Sequence, residues 1–284
     1  MKGIERVGLV TRVDEEGATE LAMRLYDHLI GAGVKAIPES DFARRKALQG
    51  GKSLSNMGDV DLVVTIGGDG TVLKTCMLLP NPEIPILAIN MGRRGYLTEV
   101  DPEDAIPAID KCLRGECFIE RHSKISIFVD GDYIIDALND ALIAPAIPSK
   151  MLTFEIYQEY QSIIKTRADA LIVATPTGST AHSLSAGGPI VDTSLNSFLL
   201  TFICPLDPIG SIVVSAEKEL DIKVPSPAIK TVLIADGRYE RNLKPSSKIS
   251  IKPSPRKAAF VRFQKPFFMK NLPNIISRGK REGI

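Results

Sequence analysis

Short apolar segments alternate with amphipathic stretches through the first hundred residues. Residues 7–13, 34–37, 61–66 and 84–90 are mostly apolar and rich in β-branched side chains, as expected of buried strands. Between the first two segments, apolar residues recur with helical spacing over residues 18–29. Strands that alternate with helices predict a doubly wound, mostly parallel α/β sheet, in which ligands bind beyond the carboxyl ends of the strands.

The pattern changes after residue 101. Residues 102–115 are predicted to form one helix, and beyond residue 118 the apolar segments are short and separated by turn residues. The Asp130-Gly131 pair between two such segments is typical of a β-hairpin. The predicted strands are residues 125–129, 133–135, 153–160, 163–166, 171–174, 198–204, 212–214, 220–224, 230–235, 248–252 and 258–263. We therefore predict an α/β domain over residues 1–101, completed by a terminal helix within residues 266–284, and a mostly β domain over residues 102–265.

Residues 61–71 read Asp-Leu-Val-Val-Thr-Ile-Gly-Gly-Asp-Gly-Thr, a buried strand followed by a glycine turn that opens a helix. Backbone N–H groups and the positive end of a helix at such a turn favour a phosphate. The predicted phosphate-binding residues are Gly67, Gly68, Gly70 and Thr71. A carboxylate repels a phosphate, so Asp69 suggests proton abstraction from an attacking hydroxyl, or a metal ligand. The alternative is that Asp69 only shapes the turn.

Two better-known phosphate-binding motifs do not fit the sequence. Gly51-Lys52-Ser53 resembles the end of a P-loop, but Lys46 occupies the position of its first glycine. Gly68-Asp69-Gly70 begins like a dinucleotide fingerprint, but Leu73 stands where the third glycine belongs.

The stretch from residue 169 to 189 combines small side chains with many hydroxyl groups. A strand leads into Thr-Pro-Thr-Gly-Ser-Thr, where Thr177 or Ser179 is predicted to cap a short helix that continues through Leu184. Small residues allow a ligand to approach the backbone closely, and the hydroxyl groups suit a ribose, a pyrophosphate or an adenine edge. The alternative is a packing loop of small residues.

A polar pair, Asn139-Asp140, is predicted to end a strand of the β domain. An aspartate beside a ribose accepts hydrogen bonds from two hydroxyl groups, as acids do in dinucleotide sites. The alternative is an ordinary turn pair.

Composition narrows the classes of protein that remain. The chain has 284 residues, is 44% hydrophobic and carries a formal net charge of +1, which argues against a dedicated nucleic-acid binder. Its four cysteines form no C-x-x-C pair and its three histidines are far apart, so a structural zinc site is not expected. We find neither a signal peptide nor an apolar run near the length of a membrane span, and we expect a cytoplasmic protein.

Taken together, these motifs resemble those of the NAD kinase family. Residues 67–71 are similar to the family's Gly-Gly-Asp-Gly-Thr signature, which lipid kinases share. Asn139-Asp140 is similar to its Asn-Glu/Asp pair, and residues 175–189 resemble its long Thr-Pro-Thr-Gly-Ser-Thr-Ala-Tyr block, which the lipid kinases lack. The order of the motifs and the two-domain layout also match.

The resemblance implies transfer of the ATP γ-phosphoryl group to the 2′-hydroxyl of the adenosine ribose of NAD, which gives NADP. It implies that Asp69 accepts the proton and that Asn139 and Asp140 hold the ribose. Asp169 would contact the nicotinamide side, with a neighbouring subunit as one source of that contact. The further NAD-binding residues that it implies are Gly70, Lys74, Lys150, Arg167, Thr180, Ala181, His182, Ser183, Leu184, Ser185 and Arg238.

The chain departs from the family at several positions, in a manner that suggests an archaeal-type member. His182 replaces the usual tyrosine, and an imidazole ring still stacks on a base. Cys204-Pro205-Leu206-Asp207 replaces the Pro-His-Ser-Leu of bacterial members, and Asp236-Gly237-Arg238 corresponds to the family's Asp-Gly-Gln. ATP and polyphosphate both stay open as donors, Mg²⁺ or another divalent cation is expected, and the family implies a homodimer or homotetramer.

Two other functions are compatible with parts of the sequence. A lipid kinase of the diacylglycerol or sphingosine type would share residues 67–71, but it should lack residues 175–189 and show an apolar lipid pocket. A non-catalytic dinucleotide sensor would keep the pocket without needing Asp69. The NAD kinase reading accounts for all three motifs.

Overall fold

The computed structural model describes residues 3–92, 95–148, 150–226 and 228–264, together with Phe268, Leu272 and Pro273. The chain folds into two compact units. One runs to Arg121 and resumes at Ala258, and the other is His122–Lys257. The helix predicted within residues 266–284 lies outside the described residues, apart from those three.

The N-terminal part of the chain alternates strands and helices as predicted. Its elements are β1 (Arg6–Thr11), α1 (Glu16–Gly31), β2 (Lys35–Pro38), α2 (Ser40–Arg45), β3 (Leu62–Gly67), α3 (Asp69–Leu78), β4 (Ile86–Asn90), α4 (Ala105–Leu113) and β5 (Phe118–His122). The helix predicted over residues 102–115 consists of a 3-10 turn, Pro102–Asp104, followed by α4. The apolar face of α1 packs on the sheet, where Leu21, Leu25 and Leu29 are buried.

The second unit is a sandwich of two antiparallel sheets. Its elements are β6 (Ile125–Val129), β7 (Asp132–Ala137), β8 (Asp140–Pro145), β9 (Leu152–Gln158), β10 (Gln161–Ala168), β11 (Ala170–Ala174), α5 (His182–Ser185), β12 (Ser197–Ile203), β13 (Ile212–Ser215), β14 (Leu220–Lys223), β15 (Thr231–Ala235), β16 (Tyr239–Leu243) and β17 (Lys248–Pro253). The strand orders are β10-β9-β14-β17-β6-β7 and β13-β12-β11-β8-β15-β16. Side chains of both sheets, such as Phe154 and Leu171, share one buried cluster.

The last strand, β18 (Ala258–Arg262), returns to the first unit, whose sheet has the order β2-β1-β3-β4-β18-β5. β18 pairs with β4 in parallel, as β1 does with β2 and β3. The units therefore divide at residues 121 and 257, whereas the sequence predicted boundaries at 101 and 265. The difference arises because α4 packs its buried face into the core of the first unit and β18 completes its sheet.

The Asp130-Gly131 hairpin is confirmed, since β6 and β7 pair across it and both turn residues have positive φ angles, of 54° and 92°. Three strands were not predicted: β5, β8 and β16. The prediction that Asn139-Asp140 ends a strand is wrong, because β7 ends at Ala137 and Asp140 begins β8.

Among the helices in the described residues, none is long and apolar enough to cross a membrane.

Candidate active site

The glycine turn after β3 places Asp69 at the first position of α3, with Gly68 as the residue before the helix. A negative charge in the first helical turn is favourable because it faces the positive end of the helix. An added Cβ at Gly67 would lie 2.4 Å from Thr71 Oγ1, so that glycine is required by local packing. At Gly68 no atom lies within 4 Å of an added Cβ, which leaves open space beside the turn. Lys74 lies half-buried on α3, one turn after Gly70.

A second segment of the first unit holds the Asp69 carboxylate. The Tyr96 N–H donates to Asp69 Oδ2 at 2.8 Å, and the Leu97 N–H donates to Oδ1 at 3.1 Å. The buried Arg262 of β18 donates to the Leu97 carbonyl at 3.2 Å and so fixes the same segment. The orientation of Asp69 is thus set by backbone groups rather than by a flexible side chain, and the sequence analysis missed both of these amides.

Gly95 makes this approach of the two segments possible. An added Cβ there would lie 2.1 Å from Asp69 Oδ1 and 2.7 Å from Thr98 Oγ1. These contacts are far too short for a carbon atom, so the Asp69 carboxylate would have to move. In the sequence, the available signal for this role was a glycine shortly after the predicted strand 84–90.

We expect Gly95→Ala to lower kcat about 100-fold, because misplacing a reactive group by about 1 Å costs a factor of that order. The melting temperature should change little, since the clash is mainly with the end of a side chain. Gly31→Ala is the matched control, because an added Cβ at Gly31 meets no atom within 4 Å. Steady-state kinetics and thermal melts of both variants check this, and an unchanged kcat in Gly95→Ala would contradict it.

In the second unit, the turn between β7 and β8 carries Asn139 and Asp140 and is held from two sides. Thr175 Oγ1 donates to the Leu138 carbonyl at 2.6 Å, and the Thr175 N–H donates to the Asn139 carbonyl at 2.8 Å. From the other side, the buried Asp236 carboxylate accepts the N–H groups of residues 138, 139 and 140. Asp140 is only 5% exposed. Burial, and then the charge of Asp236, raise the pKa of Asp140 to about 7.

All four hydroxyl groups of the Thr175–Thr180 region bond within the protein, which fits the alternative of a packing loop of small residues. Thr177 pairs with His122 at 2.8 Å, and the Ser179 hydroxyl donates to the Pro176 carbonyl at 2.6 Å. The predicted capping by Thr177 or Ser179 is wrong, since neither the 3-10 turn Thr177–Thr180 nor α5 has a side-chain cap. Among the NAD-binding residues predicted over 180–185, those with exposed surface are Thr180, Ala181, His182, Leu184 and Ser185.

Ser183 is buried, and its hydroxyl lies 2.8 Å from that of Thr201 on β12. An added Cβ at Gly188 would lie 2.3 Å from Ser183 Oγ. Ser183 therefore anchors α5 to the sheet beneath it and does not present its hydroxyl to solvent.

The remaining predicted residues are dispersed over the second unit. Arg167 and Asp169 flank the junction of β10 and β11, and Lys150 precedes β9. Arg238 is exposed in the turn between β15 and β16. Asp140 pairs with Ala174 at the far end of β11. Because a strand rises about 3.3 Å per residue, Asp169 and Asp140 are separated by roughly 15 Å along β11.

The first unit carries one anchored acid at a glycine turn, and the second carries a buried aspartate beside a turn of small residues. These features fit a two-domain kinase that acts on a nucleotide. Family models agree: residues 7–117 match the ATP-NAD kinase N-terminal domain, and residues 138–263 match the ATP-NAD kinase C-terminal domain. The chain belongs to the ATP-NAD kinase family, and its activity is that of an NAD kinase.

Curated relatives and solved structures show the same likeness. The NAD kinase of Methanothermobacter thermautotrophicus is 38% identical over 277 residues, which cover 96% of this chain and 97% of that protein. The NAD kinase of Pyrococcus abyssi is 38% identical over 96% of this chain and 99% of its own length. A crystal structure of an NAD kinase from Archaeoglobus fulgidus in complex with ATP matches with a TM-score of 0.81 and 26% identity, covering 96% and 99% of the two chains. Yeast NADH kinase complexed with NADH shares the fold, with a TM-score of 0.89 at 21% identity, covering 100% and 90%.

Proposed function

We propose that Asp69 is the general base of the NAD kinase reaction. As the 2′-oxygen of the NAD ribose forms its bond to the γ-phosphorus of ATP, the bond from that phosphorus to ADP breaks and the hydroxyl proton passes to Asp69. The observation that carries this proposal is the carboxylate held at both oxygens by the amides of Tyr96 and Leu97. Each carboxylate oxygen has two lone pairs, so each keeps one for a substrate hydroxyl.

The acceptor nucleotide is assigned to the NAD-binding residues that the sequence predicts. Asn139 and Asp140 bind the adenosine ribose, and Thr180, Ala181, His182, Leu184 and Ser185 line the adenosine pocket. Ser183 supports that pocket through Thr201. Gly70 and Lys74 lie beside the phosphates of the dinucleotide, and Lys150, Arg167 and Arg238 supply further positive charge.

The position of Asp169 supports a contact from a second copy of the chain. Within one chain, β11 separates Asp169 from Asp140 by its whole length. Asp169 of a neighbouring copy would then reach the nicotinamide side, in a homodimer or homotetramer. Full activity of a species that sediments as a monomer would contradict this assignment.

The donor is proposed to be ATP, as in the complex of the Archaeoglobus fulgidus enzyme. Gly67, Gly68, Gly70 and Thr71 surround its phosphates, and the open space beside Gly68 supports this placement. The described residues contain no cluster of three or more metal-ligating side chains. That fits Mg²⁺, which usually binds through one or two carboxylates and the substrate phosphates. When bound, the ion neutralises charge on the donor phosphates.

One assay tests this proposal. The purified chain is incubated with NAD and either ATP or polyphosphate, with Mg²⁺ or with excess EDTA, and NADP is measured. We expect NADP from ATP with Mg²⁺ and a loss of activity of at least 100-fold with EDTA, which renewed Mg²⁺ restores. If NADP forms only with polyphosphate, polyphosphate and not ATP is the donor. Full activity in EDTA would contradict a role for a divalent metal ion.

A further inference from the structure

Three consecutive backbone N–H groups converge on one buried carboxylate in the second unit. Asp236 Oδ2 accepts the Leu138 N–H at 2.8 Å, and Asp236 Oδ1 accepts the N–H groups of Asn139 at 2.7 Å and Asp140 at 3.1 Å. The Asp236 N–H in turn donates to the Asp140 carbonyl at 3.0 Å. The Asp236 carboxylate therefore holds the N–H groups of this turn, while Thr175 holds its carbonyl groups.

The strand register explains how Asp236 reaches this turn. β15 pairs with β8, with Ala235 opposite Ala141, so the next residue of the β15–β16 turn lies beside the start of β8. Asp236 and Gly237 have φ angles of 49° and 63°, a left-handed turn that aspartate and glycine tolerate. In this conformation the Asp236 carboxylate lies toward the three backbone N–H groups of residues 138–140.

Asp140 differs from Asp236 in its hydrogen bonds. Among the residues that the structure describes, none donates a hydrogen bond to the Asp140 carboxyl group, although the residue is only 5% exposed. A ligand with two adjacent hydroxyl groups, such as a ribose, would satisfy both oxygens of this carboxyl group.

The two carboxyl groups also act on each other electrostatically. The charge of Asp236 acts on Asp140, and the charge of Lys124 acts on Asp236. Burial raises the pKa of Asp236, but the three N–H donors and Lys124 favour its ionised form. Burial is the larger cause of the raised pKa of Asp140, and the charge of Asp236 adds to it.

We propose that Asp236 is a positioning residue that fixes the Asn139–Asp140 turn for ribose binding, and that its charge adds to the dependence of NAD binding on pH. This inference rests on the proposed ribose-binding role of Asp140. The ionised carboxylate accepts hydrogen bonds from two ribose hydroxyl groups. In the protonated group, one oxygen carries a proton and cannot accept a hydrogen bond in the same way. Binding of NAD therefore strengthens as the pH rises through the pKa of Asp140.

The test is titration calorimetry of NAD into the full chain at pH 6, 7 and 8, without ATP. With a pKa of about 7 for Asp140, the wild-type Kd should be about tenfold weaker at pH 6 than at pH 8. Asp236→Asn removes the charge of Asp236 but not the burial of Asp140, so this ratio should fall below that of the wild type without disappearing, while the Kd at pH 8 weakens as the turn loses its acceptor. A ratio that stays near tenfold in Asp236→Asn would overturn the proposal.

Asp130→Asn is the matched control. Asp130 also begins a left-handed Asp-Gly turn and accepts a backbone N–H, that of Lys248 at 2.9 Å, but in the β6–β7 hairpin. The Asp130→Asn variant should keep the tenfold ratio of Kd values between pH 6 and pH 8. Loss of that ratio in Asp130→Asn would contradict a specific role for Asp236.

A second comparison applies if Asp236→Asn does not fold. Asp140→Asn should show no pH dependence of NAD binding over the same range. A flat wild-type profile, or a slope that persists in Asp140→Asn, would overturn the inference. Formation of NADP by the wild type at pH 8 tests the proposed function separately.

Discussion

Asp69→Asn should bind NAD with nearly unchanged affinity but lose more than about two decades of turnover. General-base assistance is typically worth about 100- to 10,000-fold, and an amide cannot take up the hydroxyl proton as a carboxylate does. The side-chain oxygen of asparagine can still accept one of the two N–H groups that hold Asp69. The measurement is kcat together with the calorimetric Kd for NAD.

Asp61→Asn provides a comparison at another aspartate that accepts backbone N–H groups in the same unit. Asp61 Oδ2 accepts the Glu5 and Arg6 N–H groups at 3.0 and 2.8 Å, before β3 rather than after it. This variant should keep its turnover. Near-normal turnover in Asp69→Asn would remove the general-base assignment, and an equal loss in both variants would indicate a structural effect.

Gly178→Ala should cause the largest loss of stability among the glycine substitutions considered for the second unit. An added Cβ would lie 2.0 Å from the Asn139 carbonyl oxygen and 2.5 Å from its carbon, and both are backbone atoms in a held turn. Overpacking of this kind costs about 3 kcal/mol. For a chain of this size we expect a fall in melting temperature of about 6 °C or more, with weaker NAD binding because Asn139 must move.

Gly210→Ala is the control for this substitution, since an added Cβ at Gly210 meets no atom within 4 Å. Thermal melts of the two variants should differ by nearly the whole effect. Equal melting temperatures would show that the Thr175–Thr180 region is not packed against Asn139 as the structure has it.

The strand and glycine turn around Asp69 were predictable from sequence because their signal is local. A β-branched run followed by glycines and an acid determines both the strand and the start of the helix. The resemblance to the NAD kinase family, drawn from three motifs, is confirmed by the family models and by the curated relatives.

Long-range pairing explains what the sequence did not reveal. β18 is separated from its partner β4 by the whole second unit, so its pattern alone does not tell which sheet it joins. The amides of Tyr96 and Leu97 belong to residues whose side chains give no sign of contact with Asp69. The hydroxyl groups of Thr177 and Ser179 suggested a ligand, but only the fold shows that they bond within the protein.

The central claim is that the ribose 2′-hydroxyl of NAD receives the phosphoryl group. Phosphorus NMR of the product formed from NAD and ATP, with its position fixed by comparison with authentic 2′- and 3′-phosphates, tests it most directly. The account predicts a single new phosphomonoester at the 2′ position. A phosphate at another position, or release of inorganic phosphate without transfer to NAD, would contradict it.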